Sequence, residues 1–257
     1  VTVAHSVIDV HAHIGRTITS DVGQTVDEWI AEMAASGVTR SVISVAAGGL
    51  QTEGIIDTRR ANDAVAAAVV AHPGLFLAGL GSVEVRHGLA GVAEARRAID
   101  ELGLKGLAFH ATFEGFTVRS AAFSAVLDAV ASTPALILLH STPDPKASPS
   151  AIAQVAADYP LLTFVMGHPL FTEDQRSQAV RAVTATPNLH VDIAYQADPA
   201  VTEYFVREVG ASRVLFGSDA PFFSARDVIR SVEQAEISDD DRAAIFSGNA
   251  EALLASL

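Results

Sequence analysis

The sequence contains no cysteine, which excludes disulfides, thiolate nucleophiles and thiolate metal sites. Any metal would have to be held by imidazole and carboxylate groups. Aromatic residues are also scarce, 6% of 257 residues against 49% hydrophobic residues overall. An alanine-rich chain of that kind suits helices packed closely on a buried sheet better than an aromatic-rich binding surface, and the mean hydropathy of +0.32 reads as a large core. Positive charge is in deficit too: 17 Lys and Arg face 30 Asp and Glu, for a formal net charge of -13. Phosphate binding needs clustered cations, and none are clustered here, so a nucleic-acid partner is not expected. No apolar run reaches the roughly 18 residues of a membrane span. The start of the chain shows no basic segment followed by a hydrophobic stretch and a cleavage site, so the expectation is a cytoplasmic protein without a membrane partner.

Apolar, β-branched runs alternate with longer alanine-rich stretches, the pattern of βα units around a parallel sheet. Eight units are readable. Strands are predicted near 7–13, 40–46, 76–82, 105–110, 135–140, 162–167, 189–194 and 213–217. Helices are predicted near 25–36, 59–72, 89–102, 119–132, 148–158, 172–185, 199–209 and 225–235. The tail opens with Ser238-Asp239-Asp240-Asp241, a good helix start, and predicts one or two closing helices. No linker breaks the rhythm, so residues 1–257 read as one domain. An open doubly wound sheet competes with a closed (β/α)8 barrel. The count of eight favours closure, as do polar residues at strand ends early, midway and late in the chain.

Those strand-end residues carry the chemistry. His11 and His13 lie one alternation apart in the first strand, so both point to one face and could chelate one metal ion. They also fit as simple polar residues at a strand end. Asp9 is expected on the same face, one step deeper, as an outer partner of the site or a hydrogen-bonded buried carboxylate. His140 ends an almost wholly apolar strand, and His168 follows Phe164-Val165-Met166-Gly167. A buried imidazole needs its nitrogens satisfied, which a metal does readily. Asp219 follows a strand broken at Gly217-Ser218 and has two readings, a helix N-cap or a carboxylate beside a metal. His110 is a candidate substrate contact or pocket lining. Arg16 could pair bidentately with a substrate carboxylate, or be a solvated loop residue. Phe113, Phe116, Tyr195, Phe222 and Phe223 follow strands and either wall a pocket or cover the core. Gly79-Leu80-Gly81 is no dinucleotide fingerprint, because a third glycine and a helix start are lacking at the required spacing.

Several landmarks recur in a known order. They are Ile8-Asp9-Val10-His11-Ala12-His13, Arg60-Ala61-Asn62-Asp63, His72-Pro73-Gly74 and Leu102-Gly103-Leu104-Lys105-Gly106, then His140 and Gly167-His168. Phe216-Gly217-Ser218-Asp219-Ala220-Pro221 and Gly248-Asn249-Ala250 complete them. Together they resemble the amidohydrolase superfamily, specifically the amidohydrolase-2 branch that includes the aminocarboxymuconate-semialdehyde decarboxylase-like enzymes. The resemblance implies a distorted TIM barrel with an extra C-terminal helix. It implies one divalent metal, zinc foremost, with manganese or another divalent ion as alternatives, on His11, His13, His140 and Asp219. A water in an open position would have its pKa lowered towards about 7. His168 would hydrogen-bond that water or polarise the substrate. Lys105 lies at the start of its strand and is expected to face away from the site, so no bridging carbamate is expected.

The leading expectation is a metal-dependent hydrolase of an amide, lactone or ester of a small substrate, with Asp219 and His168 catalytic and Arg16, His110 and Phe222 touching the substrate. The alternative is a non-oxidative decarboxylase of a small unsaturated or aromatic acid, using the same ligands. A non-catalytic barrel is the third reading. The loop after the first strand, 14–25, is short, which argues against a closed aromatic slot unless a neighbouring subunit completes it. A homodimer is consistent with the resemblance.

Overall fold

The computed structural model describes residues 6–16, 22–46 and 53–257. Eight parallel strands follow one another around a curled sheet: β1 (Ile8–Arg16), β3 (Arg40–Val45), β4 (Phe76–Gly81), β5 (Gly106–Phe109), β6 (Ala135–His140), β7 (Leu162–Gly167), β8 (Leu189–Asp192) and β9 (Val214–Leu215). A short strand not expected from the sequence, β2 (Gly23–Gln24), turns back antiparallel on the end of β1. The helices on the outside are α1 (Val26–Ser36), α2 (Ile55–Ala71), α3 (Leu89–Asp100), α5 (Ala121–Asp128), α6 (Pro149–Asp158), α7 (Glu173–Ala185), α8 (Pro199–Val209) and α9 (Ala225–Gln234). A one-turn helix, α4 (Ala111–Glu114), follows β5 directly, and the tail forms α10 (Asp239–Ala243) and α11 (Asn249–Ala255) joined by a π-helical turn. No described helix is long and apolar enough to cross a membrane.

Local chemistry explains the boundaries. Thr25 and Glu28 form a reciprocal capping box at the start of α1, and Gly37 ends that helix in the left-handed region. Ser238 accepts from the Asp241 backbone N–H and begins the tail helix where the acidic run predicted it. Strand alternation divides the apolar residues. Leu136 and Leu138 of β6 belong to a cluster inside the barrel with Ile8, Val10, Leu80 and Val165. Ile137 and Leu139 face the helices. Ala250 and Leu253 of α11 join the inner cluster, so the closing helix plugs one end of the barrel.

The ring closes between β1 and the chain following Leu215. Val10 N–H donates to Phe216 O at 3.1 Å, Asp219 N–H to His11 O at 2.7 Å, and His13 N–H to Ala220 O at 2.8 Å. This seam departs from regular pairing, for β9 is only two residues long and β1 shifts register between Asp9 and Ala12. The bulge reverses the alternation: Ile8 and Val10 lie in the inner cluster, whereas Ala12 and Ile14 lie in the outer one. Asp9 therefore does not share the face of His11 and His13. It reaches across the seam, accepting from Ser218 Oγ at 2.5 Å, Ser218 N–H at 3.1 Å and His11 N–H at 2.9 Å. Burial pushes its carboxyl up to about 7, against these hydrogen bonds, which favour the charged form.

Ser218→Ala removes the shortest of these bonds and also the acceptor for Ala220 N–H. It is expected to lower unfolding free energy by about 1–3 kcal/mol, the usual effect of stranding a buried polar partner. Denaturant unfolding with unchanged m-value checks it.

Candidate metal centre and cavity

All the strand ends that the sequence singles out for metal chemistry meet at one end of the barrel, the end where parallel strands terminate. His11 lies within the β1 bulge and His13 just beyond it, His140 is the last residue of β6, and His168 follows β7 directly. Asp219 lies four residues beyond β9. The N-cap of α9 is Ser224, so Asp219 is not a cap for that helix. His11 Nε2 is 3.1 Å from His13 Nε2, 2.9 Å from His140 Nε2 and 3.4 Å from Asp219 Oδ1. Asp219 Oδ1 is 3.1 Å from His13 Nε2 and 3.9 Å from His140 Nε2. The other oxygen, Oδ2, is 3.7 Å from His168 Nε2. All five side chains are buried.

The far side of each imidazole explains this convergence. His140 Nδ1 is 2.9 Å from Phe109 O, His13 Nδ1 is 3.2 Å from Val45 O and 2.7 Å from Ser44 Oγ, and His11 Nδ1 is 2.7 Å from Asp192 Oδ2. Carbonyls and carboxylates only accept, so they favour the proton on Nδ1 and turn an Nε2 lone pair inward. Three lone pairs and a carboxylate oxygen then face one another in a dry site, an arrangement that calls for a cation. The spacing fits as well, since two nitrogens bound tetrahedrally at about 2.0–2.1 Å lie about 3.3 Å apart. The buried histidines and aspartate thus suit a single divalent metal. The group whose ligand atoms all lie within 4.8 Å of one another is His11, His140, His168 and Asp219, and His13 stands beside it at 3.1 Å from both His11 and Asp219. His168 Nδ1, however, has no hydrogen-bond partner among the described residues.

The electrostatics agree. Burial disfavours the charged His11 ring, yet Asp192, Asp219 and Asp9 lift it to about 9, so a proton there partly does the work of a cation. A divalent ion would displace that proton. Burial would raise Asp219, but His11, His13 and His168 outweigh it and hold the carboxylate down at about 2. Burial, reinforced by the neighbouring imidazoles, pushes His140 well below the ordinary range, and burial lowers His168.

Among the described residues, three other than glycine adopt the sparsely populated left-handed backbone, and all three stand at this end of the barrel: His168 at φ 35°, Tyr195 at φ 60° and Asp219 at φ 64°. Backbone bonds hold two of them, Asp219 N–H to His11 O and Tyr195 N–H to Ser218 O, while His168 N–H donates to the Asp192 carboxylate.

A cavity of about 400 Å³ opens over the cluster. Its floor includes His13, His140, His168 and Asp219, and its walls are Phe113, Phe171, Tyr195 and Phe222. Phe222 meets the His13 ring edge-on at 5.9 Å. His110 lines the cavity as expected, stacked on Phe113 at 3.8 Å, and burial together with His168 pushes it down to about 3. Arg16 does not: it is exposed at the end of β1, paired antiparallel with Gly23, and no Lys or Arg lines the cavity among the described residues. Phe116 is in the core with Phe109 and Phe123, and Phe223 packs behind Tyr195 at 5.3 Å. Lys105 is exposed at the opposite end of the barrel, before β5. His5 and part of the loop after the first strand lie outside the described residues.

Asp192, Ser44 and Phe171 escape the sequence reading. Asp192 was legible in principle, for it alternates with Leu189 and Val191 at a strand end as His140 does with its apolar neighbours.

A family model described as amidohydrolase matches residues 8–255. In structure the chain is similar to 5-carboxyvanillate decarboxylase from Sphingomonas paucimobilis, with a TM-score of 0.75, 19% identity, and 97% of this chain and 99% of that one covered. It is similar to 2,6-dihydroxybenzoate decarboxylase from Rhizobium, with a TM-score of 0.76, 18% identity, and coverage of 98% and 99%. A third is dihydroxybenzoic acid decarboxylase from Polaromonas sp. JS666, with bound manganese and the inhibitor 2-nitroresorcinol, at 0.75, 19%, and 98% and 97%. At these identities the likeness is one of fold. No curated protein matches the sequence.

Elemental analysis of protein purified without chelator should find about one divalent ion per chain. His140→Ala should weaken binding at least about tenfold, while Lys105→Ala leaves it unchanged. Behind His110, Glu114 accepts from the His110 N–H at 2.9 Å, and burial lifts its carboxyl to about 8 despite that bond. A carboxyl raised on folding contributes stability that is complete below its unfolded value and is lost as pH rises through about 8. Between pH 6 and 9 the unfolding midpoint should fall, and Glu114→Gln should flatten that fall.

Proposed function

The chain belongs to the amidohydrolase family, and from that premise we propose that it is a metal-dependent, non-oxidative decarboxylase of a small hydroxylated aromatic acid. The cavity carries this reading: four aromatic side chains wall a slot of about 400 Å³ whose floor is the histidine and aspartate cluster. A benzoate-sized ring fits between such walls with its carboxylate and phenol oxygens toward the floor. The decarboxylases of similar fold act on acids of this kind. Hydrolysis of an amide, lactone or ester, the first expectation from sequence, would use the same floor but calls for no aromatic slot.

His11, His13, His140 and Asp219 would hold the ion, because the first three present an Nε2 whose opposite nitrogen is already engaged. Manganese is the ion of the Polaromonas enzyme, and the nitrogen-rich donor set accepts zinc as well. When bound, the ion supplies the positive charge that draws in the acid and withdraws electron density from it.

The chain's own groups manage the proton. Asp219 Oδ1 faces His11 and His13, which leaves Oδ2 toward His168. Held ionised, Oδ2 takes the phenolic proton and delivers it to the ring carbon that bears the carboxylate. As that C–H bond forms, the C–C bond to the carboxylate breaks, its electron pair returns to the ring, and carbon dioxide leaves. A proton from water restores the phenol. His168, a neutral imidazole beside Oδ2, steadies the proton there, and the aromatic walls keep water from the ring.

With manganese and 2,6-dihydroxybenzoate or 5-carboxyvanillate, the protein should release carbon dioxide. In D2O, one deuterium should appear at the carbon that lost the carboxylate. Asp219→Asn should lower kcat by roughly 10²–10⁴, and Phe171→Ala should raise KM more than it lowers kcat. Turnover of an amide or lactone, with no carbon dioxide from any hydroxybenzoate, would sink the reading.

A further inference from the structure

We propose that Asp192 is a positioning residue that fixes the tautomer of His11 with one carboxylate oxygen and seats His168 with the other. The inference rests on the metal-centre reading above and adds a residue to it.

Asp192 ends β8 and is fully buried. Its Oδ2 lies 2.7 Å from His11 Nδ1. Its Oδ1 accepts from His168 N–H at 2.8 Å and from Ala194 N–H at 3.1 Å. Both oxygens are thus committed, one to the innermost imidazole of the metal cluster and one to the strained backbone of His168. The other two imidazoles of the cluster are backed by main-chain carbonyls, His140 by Phe109 O and His13 by Val45 O. His11 alone among them has a charged acceptor, and it is the ring closest to the others. An acceptor-only group at Nδ1 places the proton there and turns the Nε2 lone pair on the metal position. Because the same carboxylate fixes His168, the metal ligand and the proton-handling imidazole are set by one group.

This role predicts an order of variants that a packing role would reverse. In Asp192→Asn, the amide oxygen can still accept from His168 and Ala194, but the amide NH2 then faces His11 Nδ1. That nitrogen must accept, so the proton moves to Nε2 and blocks the ligand lone pair, as with the wrong tautomer in a histidine–aspartate pair. Asp192→Ala removes the acceptor without imposing the wrong tautomer.

The test is zinc affinity of the full chain by competition with a chromophoric chelator. Asp192→Asn should bind about 100-fold more weakly than the unaltered protein and Asp192→Ala about tenfold, while the metal-free Asn protein melts closer to the unaltered one than the Ala protein does. Alanine weaker than asparagine, or both within about threefold of the unaltered protein, overturns the assignment and leaves the metal centre standing. Failure of the unaltered protein to bind zinc overturns both. Should the Asn variant not fold, long-range ¹H–¹⁵N spectra of the unaltered metal-free protein, taken at a pH where the His11 ring is neutral, decide the question: a proton on Nδ1 supports the role, and a proton on Nε2 refutes it.

Discussion

An imidazole with an acceptor behind it has little choice about what it offers in front. Three such rings, backed by Asp192, Val45 O and Phe109 O, aim their remaining nitrogens at one small volume together with a carboxylate. The repulsion among those groups is a standing cost that only positive charge removes. The rest of the end of the barrel can be understood as what holds that arrangement shut. Space around His11 is so limited that a Cβ at Gly217 would sit 2.8 Å from His11 Cβ, and one at Gly167 would sit 3.0 Å from its Cε1. Neither the end of β7 nor the chain after β9 has room for a side chain there. The backbone seam from Val10 to Ala220 and the Asp9–Ser218 pair bring Asp219 to the rings despite a β9 of only two residues.

The eight-unit rhythm, the closing helix and the convergence of His11, His13, His140, His168 and Asp219 were legible because each depends on short-range patterns that a barrel repeats. What escaped depends on irregularity. The reading of Asp9 assumed strict alternation along β1, and one bulge reversed it. Arg16 was readable as a carboxylate partner or as a solvated residue; at the end of β1 it pairs antiparallel with Gly23 of β2, is exposed, and is not among the cavity-lining residues. Ser44 and Asp192 matter only through rings that come from other strands: a polar residue at the end of β8 can be read from the sequence, but its pairing with His11, 181 positions away, cannot.

Aromatic residues are few, and the slot they form is an open one. Phe113, Tyr195 and Phe222, readable from sequence as pocket walls, meet Phe171 over a single cavity, each from a different connection. A small number of rings suffices when the fold brings loops to one end. Their exposure, 61% for Phe113 and 49% for Phe171, is the cost of standing at an opening instead of in the core.

Below that opening the barrel is solid. Leu80, Leu136, Leu138 and Val165 fill its interior, and α11 stoppers the far end with Ala250 and Leu253. Traffic through this protein is therefore that of a blind alley: whatever enters past the aromatic rim must return past it. On the decarboxylase reading proposed above, the ring product and the incoming acid would share that one doorway, and carbon dioxide would leave by it too.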